Sequence, residues 1–258
     1  MTALRSVIFI IAFYSVTALF VIAGLPLLLT PRWVTLCGFK LHARACLWLL
    51  RTLVGTTLEV RGTANIPKGA AIIASKHHSA WETFGLVPLL PDPAMVMKAE
   101  LKLIPFYGWF AMKLRHIFVI RERGPAALRT LIADARARAA AHRQIVIFPE
   151  GTRQEVGARP HYKSGVAALY HGLAIPTVPV ALNSGCFWPR RGFLRFPGTI
   201  VVEFLEPIPP GLDRKPFLET LEARIEQATA RLVAESRRPV MPRPDPNLDT
   251  IAEHKKNT

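Results

Sequence analysis

The densest chemistry in the chain lies in Lys76-His77-His78-Ser79-Ala80-Trp81-Glu82. An imidazole titrates near neutrality, so a histidine can take up and return a proton, and a nearby carboxylate can fix its tautomer. Either His77 or His78 could be that base, with Glu82 orienting the ring and stabilising the imidazolium. Ser79 shares the turn, but no G-x-S-x-G elbow surrounds it and no cysteine is near. The nucleophile is therefore expected to be a substrate hydroxyl, with Ser79 in a turn-stabilising role. Three cations, Lys98, Arg121 and Arg153, stand at the ends of separate apolar runs. Together they would make a pocket for a doubly charged anion such as a phosphate monoester. Glu150, Gly151 and Thr152 lead into Arg153, and this tight turn could offer a backbone N–H and a hydroxyl to the same anion.

These groups need a scaffold that brings distant segments together. Short apolar, β-branched runs predict strands at 57–62, 70–74, 94–97, 117–120, 145–148, 177–182 and 199–204. Between them lie a short helix to Leu90, a helix over 125–143, one over 165–172 and a charged amphipathic one over 212–236. The arginines of the second of these (Arg129, Arg136, Arg138, Arg143) read as a solvated face. Alternation of strands and helices implies an α/β fold with a mixed, largely parallel sheet covered by helices. In such sheets ligands collect beyond the strand ends. His77, Lys98, Arg121 and Glu150 to Arg153 all fall at strand ends, which is the physical ground for expecting one site.

Length, charge and hydropathy bound the rest. The 258 residues carry a formal net charge of +15, with 33 basic against 18 acidic side chains. The isoelectric point is near 10.5 and the mean hydropathy +0.25. So basic a chain calls for an anionic partner, nucleic acid or anionic lipid. No RNP-like or helix-turn-helix pattern is present, and the apolar excess sits at the N-terminus, which favours lipid. Residues 6–31 contain no charge between Arg5 and Arg32, long enough to cross a hydrocarbon core of about 30 Å, with a break at Gly24-Leu25-Pro26. The single Arg5, the long apolar stretch and the lack of an A-x-A site argue against a cleaved signal. Over 33–54, Lys40, Arg44 and Arg51 share one helical face, and Trp33 and Trp48 suit a headgroup region. The pair could be a span plus an interfacial helix, or a hairpin dipping into one leaflet. Cys37, Cys46 and Cys186 form no CxxC or Cys/His cluster, so no metal is expected; they read as free thiols, with a Cys37–Cys46 disulfide as the alternative. The expected organisation is an N-terminal two-helix membrane module (1–54), an αβ domain (55–236) and a Pro-rich, disordered tail (237–258).

Taken in order, the motifs resemble those of the glycerophospholipid acyltransferases. The family's Asn-His-x-Ser-x-x-Asp is similar to Lys76-His77-His78-Ser79-Ala80-Trp81-Glu82, and its Phe-Ile/Val-x-Arg strand end to Phe118-Val119-Ile120-Arg121. Phe-Pro-Glu-Gly-Thr-Arg is present unchanged at Phe148-Pro149-Glu150-Gly151-Thr152-Arg153, and Val-Pro-Val at Val178-Pro179-Val180. Lys98, with Glu100, Leu101 and Pro105, resembles the segment whose lysine helps bind the substrate phosphate. The resemblance selects His77 as the base over His78. It implies acyl transfer from acyl-CoA or acyl carrier protein to the sn-2 hydroxyl of lysophosphatidic acid, without a metal or redox cofactor. It also implies membrane attachment, with the active site towards the cytoplasm. Two positions depart from the family pattern: Glu82 is one methylene longer than the usual aspartate, and Lys76 replaces asparagine, setting a cation beside the base. They bear on which acceptor is used, another lysolipid such as lyso-ornithine lipid being the alternative.

Overall fold

The computed structural model describes residues 1–120, 124–158 and 160–236, so Arg121 and the 237–258 tail lie outside the described residues. The strands are β1 (Thr56–Arg61), β2 (Ala71–Ser75), β3 (Pro93–Lys98), β4 (Ile117–Val119), β5 (Gln144–Ile147), β6 (Thr177–Leu182) and β7 (Gly198–Phe204). The helices are α1 (Thr2–Ala23), α2 (Arg32–Leu49), α3 (Glu82–Gly85), α4 (Tyr107–Lys113), α5 (Pro125–Ala140), α6 (Ser164–Leu173) and α7 (Arg214–Glu235). One seven-stranded sheet runs β1-β7-β6-β2-β5-β3-β4. Every neighbouring pair is parallel except β6 with β7, so the fold is the mixed, largely parallel α/β sheet expected. The C-terminal ends of β2 to β6 consequently emerge along one edge.

Strand residues alternate between two faces, and each face has its own cover. Ile73, Val146, Val178, Val180 and Ile200 pack with Phe9 of α1, with Ala43, Cys46 and Leu49 of α2, and with Trp81 and Phe84. Ile72, Ala74, Ile145 and Ile147 point the other way, onto Leu131 of α5, Val166 and Leu169 of α6, and Phe217 and Leu221 of α7. Ala181 and Val201 meet Ala228 and Leu232 further along α7. The N-terminal helices thus share a core with the sheet rather than standing apart from it. Gly24 ends α1, and the 3₁₀ turn Leu25–Leu29 links it to α2, at the break expected from Gly24-Leu25-Pro26. Gly62 follows β1 at φ 64°, where a Cβ would lie 2.0 Å from the Phe204 carbonyl oxygen, so only glycine fits that turn.

Several expectations need correction. The short helix to Leu90 is one α-turn followed by the 3₁₀ turn Val87–Leu89, because Pro88 has no N–H to continue an α-helix. The helix expected to 143 stops at Ala140, and Arg143 is not on a solvated face. It is 2% exposed and donates to Asp92 Oδ1 (3.1 Å) and to the carbonyls of Pro93 (3.0 Å), Leu114 (3.0 Å) and Arg115 (3.1 Å). Burial pulls its pKa down to about 10, still well above neutrality. Lys40 does not face lipid with Arg44 and Arg51: its ammonium donates to the carbonyls of Leu90 (2.7 Å) and Pro91 (2.8 Å). None of the three cysteines is in a disulfide.

Candidate active site

β2 ends at Ser75, and the Lys76 N–H extends its pairing by one bond to the Val180 carbonyl (2.9 Å). The chain then folds into a tight turn that Ser79 closes. Its hydroxyl accepts from the Trp81 N–H (3.0 Å), and its own N–H donates to Glu82 Oε2 (2.9 Å). Glu82 opens α3 and is fully buried. The same Oε2 lies 3.1 Å from His77 Nδ1, while Oε1 accepts from the hydroxyl of Ser184, two residues beyond β6. The longer side chain of Glu82 therefore reaches the imidazole. With Nδ1–H directed at a carboxylate, the ring keeps Nε2 as its basic nitrogen.

His77 is fixed on three further sides. Its ring stacks on Phe148 with centroids 4.0 Å apart and planes 16° from parallel. Its N–H donates to Glu150 Oε1 (3.1 Å), and its carbonyl accepts from the Gln154 N–H (2.7 Å). The turn after β5 is thus bonded to the turn after β2, so the Phe148–Arg153 motif and the histidine motif form one unit. His78 points elsewhere. It is 1% exposed, its Nδ1 has no partner among the described residues, and burial, aided by Lys76 and His77, pushes its pKa down to about 3. Gly185 presses against it; a Cβ there would lie 2.9 Å from His78 Cβ.

Lys76 does not set its charge beside the base. Its buried ammonium turns inward to both oxygens of Glu226 on α7 (2.7 and 2.8 Å) and lies 3.4 Å from Glu150 Oε1. Tyr162 OH adds a bond to Glu226 Oε1 (2.9 Å). Glu150, expected with the anion pocket, is likewise turned inward; burial raises its pKa, and Lys76 together with backbone N–H groups opposes that rise. Gly151, at φ 70°, donates its N–H to the Phe148 carbonyl (2.9 Å), so it closes the turn rather than offering that donor to an anion. Thr152 and Arg153 are exposed beyond it, and Lys98 is exposed at the end of β3. β5 alone separates β3 from β2, which puts the two strand ends about 10 Å apart. Neither Lys98 nor Arg153 pairs with a carboxylate among the described residues. Arg121 would follow β4, the next strand out, but lies outside the described residues.

Sequence reasoning missed Ser184, Phe148 and Glu226. Ser184 had a signal, since Asn183-Ser184-Gly185 directly follows an apolar strand as His77 does. Phe148 ends a strand run and reads there as core. Glu226 had none, because its partner is 150 positions away.

Residues 57–183 match the Acyltransferase family model. The chain is 38% identical over 159 residues to a 1-acyl-sn-glycerol-3-phosphate acyltransferase of Pseudomonas aeruginosa, covering 62% of each protein. It is 29% identical over 216 residues to one of Saccharomyces cerevisiae, covering 80% of this chain and 68% of that protein. A beta form from Homo sapiens is 29% identical over 169 residues, covering 63% of this chain and 60% of that one. The chain thus spans about three fifths of the length of the bacterial and human relatives. Among solved structures, the 1-acyl-sn-glycerophosphate (LPA) acyltransferase from Thermotoga maritima superposes with a TM-score of 0.73 at 22% identity, over 90% of this chain and 99% of that one. That likeness establishes the fold, including the two helices ahead of the sheet.

Proposed function

We infer, for a chain whose residues 57–183 belong to the Acyltransferase family, that it transfers a fatty acyl group from acyl-CoA or acyl carrier protein to the sn-2 hydroxyl of 1-acyl-sn-glycerol-3-phosphate, giving phosphatidic acid. The observation that carries this is the imidazole of His77, held through Nδ1 by Glu82 at the same edge of the sheet as the strand ends that bear Lys98 and Arg153. Nε2 takes the proton of the acceptor hydroxyl as its oxygen attacks the thioester carbonyl. Glu82 stabilises the imidazolium, which returns the proton to the departing thiolate as the tetrahedral intermediate collapses. Lys98, Arg121 and Arg153, with the Thr152 hydroxyl, hold the acceptor phosphate. Glu150 and Gly151 act at one remove by shaping the two turns, and Ser79 and Ser184 set the carboxylate. No resident cofactor takes part in this scheme.

The N-terminal module (1–54) serves as the membrane attachment of the 55–236 domain. α1 is long and apolar enough to cross a membrane, yet it is tied down at both ends. Ser6 accepts from the Arg195 N–H (2.8 Å) and donates to the Arg195 carbonyl (3.2 Å), while Gly24 lies against the Phe110 ring. Phe9 and Phe13 meet Trp188 edge-on between those points. A helix fastened in this way still turns a broad apolar surface outward, Leu4, Val7, Ile11, Tyr14, Leu19 and Ile22 included, for lipid. This supports a hairpin lying in one leaflet, at the cytoplasmic face of the inner membrane in a bacterial cell, where acyl donors are made.

The test is turnover of labelled acyl-CoA by purified protein against a panel of lysolipids. Lysophosphatidic acid should be acylated, and His77→Ala should abolish this while vesicle binding persists. If lysophosphatidic acid is left untouched while lyso-ornithine lipid turns over, the acceptor is wrong and the chemistry stands. Full activity in His77→Ala overturns the chemistry.

A further inference from the structure

We propose that the segment joining β3 to β4 is a second lipid-facing surface, which seats the catalytic domain on an anionic phospholipid bilayer; this rests on reading α1 and α2 as a membrane-facing hairpin. α4 is built inside out for a soluble helix. It buries its small residues, Gly108 and Ala111, and turns Trp109 (47% exposed) and Met112 (46%) to the outside. Ahead of it, Leu103 is 82% exposed, and Phe106 presents a ring to solvent with Trp109 packed edge-on at 5.0 Å. The inward choice is enforced: a Cβ at Gly108 would lie 2.0 Å from the Lys102 carbonyl oxygen, so no larger side chain can pack against the 3₁₀ turn Ala99–Leu103 there. Contiguous apolar exposure of this kind marks an interaction surface.

Two observations say what covers it. The patch continues the hairpin: α4 packs on α2 and on the Leu25–Leu29 turn, where Leu29 (91%) in the turn and Trp33 (66%) in α2 are also bare. Its rim is cationic, with Lys102, Lys113 and Arg115 around an apolar, aromatic centre and Glu100 the one acidic residue over 98–116. Aromatic and aliphatic groups flanked by lysine and arginine are the composition of a membrane interface, and the cations suit anionic headgroups. The segment begins at Lys98, so seating it would press the phosphate-binding strand ends against the headgroup layer, where the phosphate of a lysophospholipid resides.

Full-length protein with Cys37→Ser, which removes the exposed thiol, would carry an environment-sensitive fluorophore at one introduced cysteine: Leu103→Cys, Ile22→Cys in α1, or Lys215→Cys on α7, whose side chain is 87% exposed. Each is mixed with phosphatidylcholine vesicles containing phosphatidylglycerol and a brominated lipid quencher. Labels at 103 and 22 should blue-shift and quench while the label at 215 does neither. Quenching at 22 but not at 103 overturns this proposal and leaves the hairpin reading intact; quenching at neither overturns both. Equal quenching at 103 in vesicles lacking phosphatidylglycerol overturns the anionic preference. In otherwise native protein, Leu103→Ala with Trp109→Ala should weaken vesicle partition about tenfold, with turnover of detergent-dispersed substrate retained.

Discussion

The Ser184 hydroxyl donates to Glu82 Oε1, so the carboxylate that orients His77 is held from the end of β6 as well as from its own turn. Glu82 needs that second hold, because a side chain one methylene longer than aspartate has one more torsion to fix. Ser184→Ala should therefore lower kcat about tenfold, the loss of about 1.4 kcal/mol, with KM for either substrate little changed. Glu82→Gln should cost more, and adding Ser184→Ala to it should cost nothing further, since the hydroxyl acts through the carboxylate. Additive losses in that cycle would show that Ser184 acts elsewhere.

The same turn is braced from below by Lys76, whose ammonium lies between Glu226 and Glu150. Glu150 is fully buried and holds the His77 N–H, so it relies on that cation. Lys76→Met strands a buried carboxylate, and removing one partner of such a pair costs about 3–5 kcal/mol. Denaturant unfolding should show that loss, and Lys76→Met with Glu150→Gln should recover part of it. A stable Lys76→Met protein would mean that Glu150 is carried by its backbone bonds alone.

These two struts mark the boundary of what the chain discloses before it is folded. Buried parallel strands read as unbroken β-branched runs, which is why β6 was legible to the residue and the others to within one or two. The strand-end rule likewise anticipated that His77, Lys98 and the 150–153 turn follow the ends of neighbouring strands β2, β3 and β5. Side chains whose partners come from remote segments were misread by the same local logic. Arg143 looked solvated until Asp92 and three carbonyls converged on it, and Lys40 looked lipid-facing until the chain at Leu90 came within reach. Lys76 is the sharpest instance, since only folding shows that a cation next to the base in sequence is spent on Glu226.

Acid should destabilise the fold through two buried imidazoles. His78 and His116 each titrate near pH 3, mainly through burial; for His116 the charges of Arg143, Arg138 and Arg32 reinforce this and Asp92 opposes it. The unfolded chain protonates both near 6.5, so their contribution is intact above that pH. It is lost as pH falls towards 3, by roughly a kcal/mol per pH unit for each histidine. His116 Nδ1 accepts the Met95 N–H (3.1 Å), a bond that His116→Asn can keep with its side-chain oxygen. Denaturant midpoints between pH 4 and 6 should fall less steeply in that variant. An unchanged slope would place the acid sensitivity in other groups.

Arg153 tests the proposed anion pocket directly. Its side chain is exposed beyond a turn that is otherwise occupied with internal bonds, so removing it should leave the His77–Glu82 geometry untouched. A charge-assisted bond to phosphate is worth about 1.5–3 kcal/mol, which predicts a rise of about ten- to a hundred-fold in KM for lysophosphatidic acid on Arg153→Ala. The KM for acyl-CoA and the rate at saturating lysolipid should change little. The discriminating acceptor is a monoacylglycerol, which offers the same hydroxyl without the phosphate. Its slow acylation should be indifferent to Arg153, because the group that the guanidinium would hold is absent. Equal losses on both acceptors would assign Arg153 to the turn's structure, and a loss confined to acyl-CoA would move the cation to the donor side of the site.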